Sequence, residues 1–307
     1  MRMAPEKEPL EPSWLAQVKE LLGPHKRYHR AQTEDALPSG VKVEQASRFP
    51  KEVAHFTRWK IIHIECSRWD ADAMMKRAEV HVVDLIDAAT VKLNPALHSH
   101  ALELEAADDG LVVSNRGGFH SKPDAVQKLS DCGCEEATQI MNLVRSCVMY
   151  EPGKKPRYEK DSKVTTAWIN VCRNGHTHGL HSHEPAKFSA VYYVSVPESK
   201  EEEEEEEDSL SGHLVLRFGS GGNEGDPALG LEDDSWCLWD HVEPKEGRLV
   251  IFPSSMPHGV LKVSTAADDE KPRISIAFNT GEKNVNLKKY GKNNKKRKKT
   301  EQTRSPS

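Results

Sequence analysis

The chain has 307 residues, of which 36% are hydrophobic and 30% are charged, as expected for a soluble protein large enough to bury a core. The net charge of -5 is too small to indicate an acidic or a basic partner for the chain as a whole. No stretch has the length and apolar character of a transmembrane helix, and the Glu- and Pro-rich start lacks the apolar segment of a secretory signal. The six cysteines show no Cys-x-x-Cys spacing, which favours free thiols, so we expect an intracellular protein of the cytoplasm or the nucleus.

The first part of the chain is predicted to combine helices with one strand. Apolar residues recur at helical spacing within 13–22, from 71 to about 90, and from about 135 to 149. The isoleucines within 60–66 indicate a strand. We expect residues 1–155, a mixed and mainly helical region, to pack on the rest of the chain and not to form an independent domain.

Short strands replace helices after residue 156. Several runs rich in β-branched and aromatic residues are separated by Gly, Pro and Asn. These runs are 165–171, 189–196, 213–218, 248–252 and 273–279. Strands at this spacing, without helical patterns between them, are typical of an antiparallel sandwich or jelly roll. The fold class is therefore predicted to be α+β, with N-terminal helices packed outside a β core in residues 156–282.

Two segments are strongly charged and low in complexity. Residues 200–209 are almost entirely acidic, and the mutual repulsion of these charges predicts a disordered insert between two strands. Residues 283–307 are rich in lysine and nearly free of apolar side chains, which predicts a disordered basic tail. This tail is either a solubilising terminus or a segment that contacts nucleic acid or a nuclear import receptor, and both interpretations stay open.

A histidine-rich segment in the second half of the chain is the strongest indication of chemistry. On a β-strand, side chains two residues apart point to the same face, so His181 and His183 would present their nitrogens together. His258, far downstream between Pro and Gly, would add a third nitrogen from another strand. The earlier His176 and His178 are flanked by glycines and are predicted to lie in a loop that leads into the strand of His181 and His183. The alternatives are polar surface histidines, or a zinc site without a catalytic role.

Arg273 begins an apolar, strand-like run after the last of these histidines. A guanidinium buried in such a strand needs an anion, whereas an exposed one would be an ordinary surface cation. Three imidazoles on one side of a metal ion leave its other coordination positions open to ligands. The whole set therefore suggests a metal that binds an anionic co-substrate and activates oxygen.

An ordered set of short motifs resembles a known family of oxygenases. None of the motifs is specific alone, and together they extend from about residue 168 to residue 279. The motifs are Trp168-Ile169-Asn170-Val171, the His-x-His patch at 181–183, the strand at 189–196, the segment 244–254, Pro257-His258-Gly259-Val260 and the run 273–279. In this order they resemble the 2-oxoglutarate- and Fe(II)-dependent oxygenases and, more distantly, the prolyl hydroxylases. Residues 114–121 resemble an upstream segment of the same family.

The resemblance implies a double-stranded β-helix of the jelly-roll or cupin-like type within residues 156–282, with Fe(II) held at one end. His181 and His183 would come from one strand and His258 from a late strand. Most enzymes of this class have a carboxylate where this chain has His183. The adjacent Glu184 would face the other way by strand alternation, so we expect a three-histidine site with His183 as the third ligand.

The resemblance also implies the residues that bind 2-oxoglutarate. Arg273 would pair with the distal carboxylate through two parallel hydrogen bonds, a geometry that favours arginine over lysine. Ser275 faces the same way and would add a hydroxyl donor. Tyr193 corresponds to a tyrosine that contacts this carboxylate in the prolyl hydroxylases; core packing is the alternative, since one of two adjacent tyrosines must face outward. Asn170 and Asn279 are further candidates for lining the same cavity.

The implied reaction couples the oxidative decarboxylation of 2-oxoglutarate by O2 to the oxidation of a second substrate. The sequence does not identify that substrate, which is a protein, a nucleic acid or a small molecule. No catalytic side chain is expected beyond the metal ligands, and ascorbate is a candidate reductant for the iron. Two other functions stay open: a cupin-like metal-binding module without catalysis, and a three-histidine dioxygenase that does not use 2-oxoglutarate. Neither needs a buried cation after the last histidine, so Arg273 discriminates between them and the first hypothesis.

Overall fold

The structure is a computed structural model. It describes residues 41–45, 56–65, 77–85, 87–150, 154–198, 210–218, 238–265 and 271–281. The predicted helix at 13–22, the acidic insert at 200–209 and the basic tail at 283–307 lie outside these residues. In the described part of the chain, no helix is both long enough and apolar enough to cross a membrane.

The part that precedes the β core contains both strands and helices. Its elements are β1 (Val41–Gln45), β2 (Phe56–Glu65), β3 (Arg77–Leu85), α1 (Asp87–Ala107), β4 (Asn115–Arg116), β5 (Phe119–His120), α2 (Ala125–Asp131), α3 (Glu135–Met149) and α4 (Glu159–Ser162). The strand predicted at 60–66 corresponds to β2. The helix predicted at 135–149 corresponds to α3, which buries Ile140, Val144 and Cys147 as expected from their spacing.

The helix predicted from 71 to about 90 is wrong. Strand β3 lies within that range, and α1 begins only at Asp87. Strand β3 is hydrogen-bonded along both edges, to β2 and to β11 (Arg248–Pro253), and neighbouring Val82 and Val83 are both buried. Because both faces of this strand are covered, its apolar residues do not alternate with polar ones, and their spacing imitates that of a helix.

The structure describes eight strands in the predicted β core. They are β6 (Val164–Cys172), β7 (Thr177–His181), β8 (Phe188–Ser195), β9 (Leu214–Phe218), β10 (Leu238–Val242), β11, β12 (His258–Val260) and β13 (Arg273–Thr280). The five runs predicted from the sequence correspond to β6, β8, β9, β11 and β13, and the short β7, β10 and β12 complete the set.

The strands of the core are divided between two antiparallel sheets. Neighbours follow the order β11-β8-β13-β6 in the first sheet and β10-β9-β12-β7 in the second. Strands β1 to β3 and β5 extend the first sheet at its two edges, and β4 extends the second. This is the strand order of a double-stranded β-helix, so the predicted fold class is confirmed.

Side-chain alternation gives the first sheet two buried faces. In β13, Ile274, Ile276 and Phe278 belong to an apolar core that also contains residues of α1 and α3. The alternate residues Arg273 and Ser275 line a pocket between the two sheets. The outer face therefore packs against helices, while the inner face carries polar groups.

Both adjacent tyrosines of β8 are buried, so the expectation that one of them faces outward is wrong. Tyr192 points away from the second sheet, but α1 covers it, and its hydroxyl donates to Asn94 Oδ1 at 2.7 Å. Tyr193, on the opposite face, packs between the sheets. A strand that is covered on both faces has no exposed side, whatever its alternation.

Candidate metal and co-substrate site

His181 and His258 lie opposite each other on paired strands. His181 is the last residue of β7, His258 is the first of β12, and the two are register partners. His183 lies two residues beyond β7, where its backbone N–H donates to Ser254 O at 2.8 Å. The expectation that one strand carries both His181 and His183 is therefore wrong, because pairing with β12 ends at His181. His178, predicted to lie in a loop, is within β7.

The three imidazoles converge all the same. The ring centroid of His181 lies 4.8 Å from that of His183 and 4.4 Å from that of His258. The centroids of His183 and His258 are 5.0 Å apart. One nitrogen of each ring lies within 4.8 Å of the other two. Nitrogens that bind a common ion at about 2.1 Å are at most about 4.2 Å apart, so a small inward movement brings all three onto one ion. The arrangement fits a metal.

Backbone carbonyls fix which nitrogen two of these rings offer. His181 Nδ1 lies 2.7 Å from Gly179 O, and His258 Nδ1 lies 2.9 Å from Met256 O. A carbonyl only accepts, so each Nδ1 carries the proton and donates it. The Nε2 atom of both rings keeps its lone pair, which is the form in which an imidazole binds a metal.

Burial lowers the pKa of all three histidines. Removal from water is the largest cause in each case, and the neighbouring imidazoles lower the pKa of His183 and His258 further. The pKa of His183 falls to about 3. All three rings are therefore neutral near pH 7, as metal ligation requires.

Within the described residues, no carboxylate joins this cluster. Glu184 follows His183 directly in the sequence, but it is exposed. Because all three nitrogen donors are neutral, an ion at this position would keep its full charge and attract an anionic ligand.

Arg273 is 1% exposed and lines the same pocket as the three histidines. Its Nε donates to Gly212 O at 3.1 Å, and its Nη1 donates to Ser275 Oγ at 3.3 Å. Its Nη2 has no hydrogen-bond partner in the described part of the chain. A buried guanidinium with an unused donor is costly unless an anion completes it, so this position is suited to a carboxylate.

Two more of the predicted co-substrate residues carry polar atoms that have no hydrogen-bond partner among the described residues. Asn170 lines the pocket as the register partner of Ser275, and its Oδ1 is unpartnered. Tyr193 does not line the pocket, but its ring centroid lies 5.0 Å from Arg273 Cζ, and its hydroxyl is unpartnered. Burial raises the pKa of Tyr193, and the opposing effect of Arg273 is smaller, so the hydroxyl stays protonated and able to donate.

Asn279 has a structural role, so the prediction that it lines this cavity is wrong. Its Oδ1 accepts from Ser189 Oγ at 2.9 Å, and its Nδ2 donates to Thr166 Oγ1 at 3.1 Å. Its amide joins β13 to both neighbouring strands, and Asn279 is not among the residues that line the histidine pocket.

Sequence reasoning missed one wall of the pocket, which is formed by Trp168 and His120. Trp168 stacks on His120 with ring centroids 5.6 Å apart, and it meets His183 edge-on at 5.2 Å. His120 Nδ1 donates to Ser121 O at 2.7 Å. Its Nε2 is therefore a lone-pair acceptor in a pocket next to the three converging histidines.

Ser114 and His178 also line the pocket and were not predicted to do so. Ser114 Oγ lies 3.4 Å from His181 Nε2 and 3.5 Å from His178 Nδ1. These contacts join the segment before β4 to strand β7. The resemblance of residues 114–121 to an upstream segment of the oxygenase family was the signal available for this wall.

The β core is similar to a known protein family. Residues 166–279, which include nearly all of β6 to β13, match the family described as "Putative 2OG-Fe(II) oxygenase". The resemblance drawn from the ordered motifs is confirmed for this part of the chain. No curated protein matches the chain.

The chain is also similar to solved oxygenase structures at low identity. A prolyl-4-hydroxylase from Pseudomonas putida is 14% identical, with 67% of this chain and 92% of that chain covered and a TM-score of 0.35. The non-heme α-ketoglutarate-dependent carbocyclase SnoK from nogalamycin biosynthesis is 12% identical, with 68% and 85% covered and a TM-score of 0.45. HygX from Streptomyces hygroscopicus, solved with nickel and 2-oxoglutarate bound, is 13% identical, with 66% and 82% covered and a TM-score of 0.34.

Proposed function

We propose that this protein is an Fe(II)- and 2-oxoglutarate-dependent dioxygenase. It uses O2 to convert 2-oxoglutarate to succinate and CO2, and it couples this step to the oxidation of a second substrate, by hydroxylation. One observation carries the proposal. A single pocket combines three converging neutral imidazoles with a buried guanidinium that has an unused donor.

His181, His183 and His258 would hold the iron. When bound, iron supplies the redox chemistry that joins O2 to the keto acid and oxidises the substrate. The contribution of the chain is to present the imidazoles in the right tautomer, which the Gly179 and Met256 carbonyls secure for two of them.

Arg273 would bind the distal carboxylate of 2-oxoglutarate through Nη2. Ser275 Oγ accepts from Nη1, so its own O–H is left to donate to the same carboxylate. The Tyr193 ring lies next to Arg273, and Asn170 is the register partner of Ser275, so their polar atoms would complete the set. A carboxylate held here neutralises the buried charge of Arg273, which supports binding of a dicarboxylic acid.

Apolar side chains line much of the remaining pocket. They include Val191, Leu214, Phe252, Val260 and Ala277. In such surroundings water has little access and electrostatic interactions are stronger than in solvent, which favours a selective oxidation.

The direct test is turnover of 2-oxoglutarate by the purified full-length chain. With Fe(II), ascorbate and O2 present, we expect succinate to form even without a second substrate, through slow uncoupled turnover. Succinate is measured by NMR against a sample without iron. A clean preparation that holds iron and yields no succinate, alone or with any cell extract added, would overturn the proposal.

The ligand assignment is tested separately by metal analysis. We expect His181→Ala, His183→Ala and His258→Ala to lose bound iron, and Glu184→Ala to retain it. Glu184→Ala is the matched control, because it removes the neighbouring carboxylate without touching the cluster. Loss of iron in the Glu184 variant alone would reassign the third ligand.

The same experiments separate the two other functions. Bound metal without 2-oxoglutarate binding would favour a non-catalytic cupin-like module, and O2 consumption without succinate would favour a dioxygenase that does not use 2-oxoglutarate. The intracellular location, and a contact of the basic tail with nucleic acid or an import receptor, stay predictions.

A further inference from the structure

A tight turn at 210–213, directly before β9, is hydrogen-bonded to the segment that follows β12. The Gly212 N–H donates to Lys262 O at 3.1 Å. Ser211 Oγ donates to Ser264 O and accepts from the Ser264 N–H, both at 2.8 Å. The position of the Gly212 carbonyl is therefore set by several hydrogen bonds that do not involve the candidate active site.

The backbone of Gly212 lies closer to the Arg273 side chain than the backbone of a residue with a Cβ could. Its carbonyl accepts from Arg273 Nε at 3.1 Å, and its φ of +63° lies in the left-handed region that favours glycine. A Cβ on Gly212 would lie 2.9 Å from Arg273 Cδ and 3.0 Å from Arg273 Nε. Any side chain here would push the arginine stem out of its present place.

The contact matters because Arg273 lines two cavities. One is the histidine pocket, and the other is shared with Gly212, Glu198 and Glu243 and contains none of the three histidines. The charge of Glu198 and Glu243 would favour a guanidinium that turned toward the second cavity. With Nε held by Gly212 and Nη1 by Ser275, the guanidinium keeps one orientation, and Nη2 is left for a ligand.

We propose that Gly212 is a positioning residue for the co-substrate: its carbonyl and its missing side chain hold Arg273 in the orientation that binds a dicarboxylate. This inference rests on the proposed function, since it assigns 2-oxoglutarate to Arg273. It adds a residue from a turn that neither the histidine pattern nor the strand pattern indicates.

The test is the affinity for 2-oxoglutarate of the Gly212→Ala full-length chain loaded with Zn(II), which binds the ligand without turnover. We expect the dissociation constant, measured by calorimetry, to rise on the order of tenfold or more, because a hydrogen bond to a charged group is lost or misdirected. Zinc stoichiometry should stay unchanged, because Gly212 does not contact the three histidines. Unchanged 2-oxoglutarate affinity would overturn the inference.

Gly133→Ala is the matched control. Gly133 also has a positive φ, of +96°, but no atom of the described residues lies within 4 Å of the position that its Cβ would occupy. Both variants carry backbone strain, and only Gly212→Ala should weaken 2-oxoglutarate binding. Equal weakening in the two variants would mean that strain alone is responsible, which contradicts a positioning role.

Arg273→Met separates this inference from the proposed function. If Arg273→Met does not weaken 2-oxoglutarate binding, the proposed function fails. If it does and Gly212→Ala does not, only the present inference fails. Adding Gly212→Ala to Arg273→Met should have no further effect on the affinity, and a full additional loss would show that Gly212 does not act through Arg273.

A measurement on the unaltered protein covers the case in which Gly212→Ala does not fold. In arginine labelled with 15N, the Nε–H of Arg273 should exchange slowly with water before 2-oxoglutarate is added, since Gly212 O already accepts from it. Rapid exchange that slows only when 2-oxoglutarate binds would contradict a preformed contact.

Discussion

His183 determines the charge of the candidate metal site. Non-haem iron oxygenases commonly bind the metal through two histidines and one carboxylate, whereas the third donor of the candidate site is the imidazole of His183. The neutral set leaves the positive charge of the ion to be balanced by other ligands. An anionic co-substrate would thus be favoured by a bound metal as well as by Arg273.

Replacing His183 with Asp should preserve the metal, whereas replacing it with Ala should not. A carboxylate is also an iron ligand, but a methyl group is not, so Ala should weaken iron binding by about 100-fold or more. Iron titration followed by elemental analysis measures both variants. His120→Phe is the control, because His120 lies in the same pocket outside the cluster; equal loss of iron in this variant would contradict the assigned ligand set.

Arg273→Met is expected to separate stability from co-substrate binding. The buried guanidinium has an unused donor, so an apolar residue of similar length should leave the apo-protein equally or more stable. The stabilisation by added 2-oxoglutarate should disappear in the variant. Thermal unfolding with and without 2-oxoglutarate checks both expectations, and a strong destabilisation of the apo-variant would show that Arg273 is already satisfied without a ligand.

At the scale of the element, β8 shows how one strand serves packing and chemistry together. Its outward residues belong to the apolar core beneath α1 and α3, and its inward residues lie between the sheets near Arg273. The adjacent Tyr192 and Tyr193 are equally buried but have different surroundings, so they form a natural pair for comparison.

Removing each tyrosine hydroxyl should have a different consequence. Tyr192→Phe removes the hydrogen bond to Asn94 and should lower the free energy of unfolding by about 1 kcal/mol without changing 2-oxoglutarate affinity. Tyr193→Phe removes a hydroxyl without a partner, so stability should hold while the affinity falls. Urea unfolding and calorimetric titration measure the two effects. The reverse pattern would place Tyr192, and not Tyr193, at the ligand.

At the scale of the whole molecule, the candidate site ties the two sheets together. His181 and His258 belong to the smaller sheet, whereas Arg273, Ser275 and Asn170 belong to the larger one. A ligand that contacts both the metal and Arg273 therefore bridges the two layers of the β core. Its binding should stabilise the folded domain as a unit.

Metal and 2-oxoglutarate together should raise the melting temperature more than either does alone. A ligand at 100 times its dissociation constant contributes about 2.7 kcal/mol, which corresponds to roughly 5 to 10 °C for a domain of this size. Pyruvate, a keto acid without the distal carboxylate, should give a much smaller shift. Calorimetry with Zn(II) in place of iron measures these shifts, and equal shifts for both keto acids would argue against a role for Arg273.

The sequence by itself determined which functional groups are available and most of the core strands. Imidazoles, a guanidinium and hydroxyls are recognisable from residue type, and β6, β8, β9, β11 and β13 follow from local composition and turn residues. Their order along the chain was enough to predict a jelly roll and the oxygenase family. These features are local, or depend only on order, so one chain can reveal them.

Tertiary structure alone decided which side chains and strands come into contact. Strand β3 forms because β2 and β11 bond to its two edges, Tyr192 is buried because α1 covers it, and His183 reaches its neighbours from a turn and not from a strand. Gly212 approaches Arg273 across 61 residues of sequence. Such contacts depend on strand pairing and on the path of the loops, which arise from interactions between distant segments, and no local pattern of residues records them.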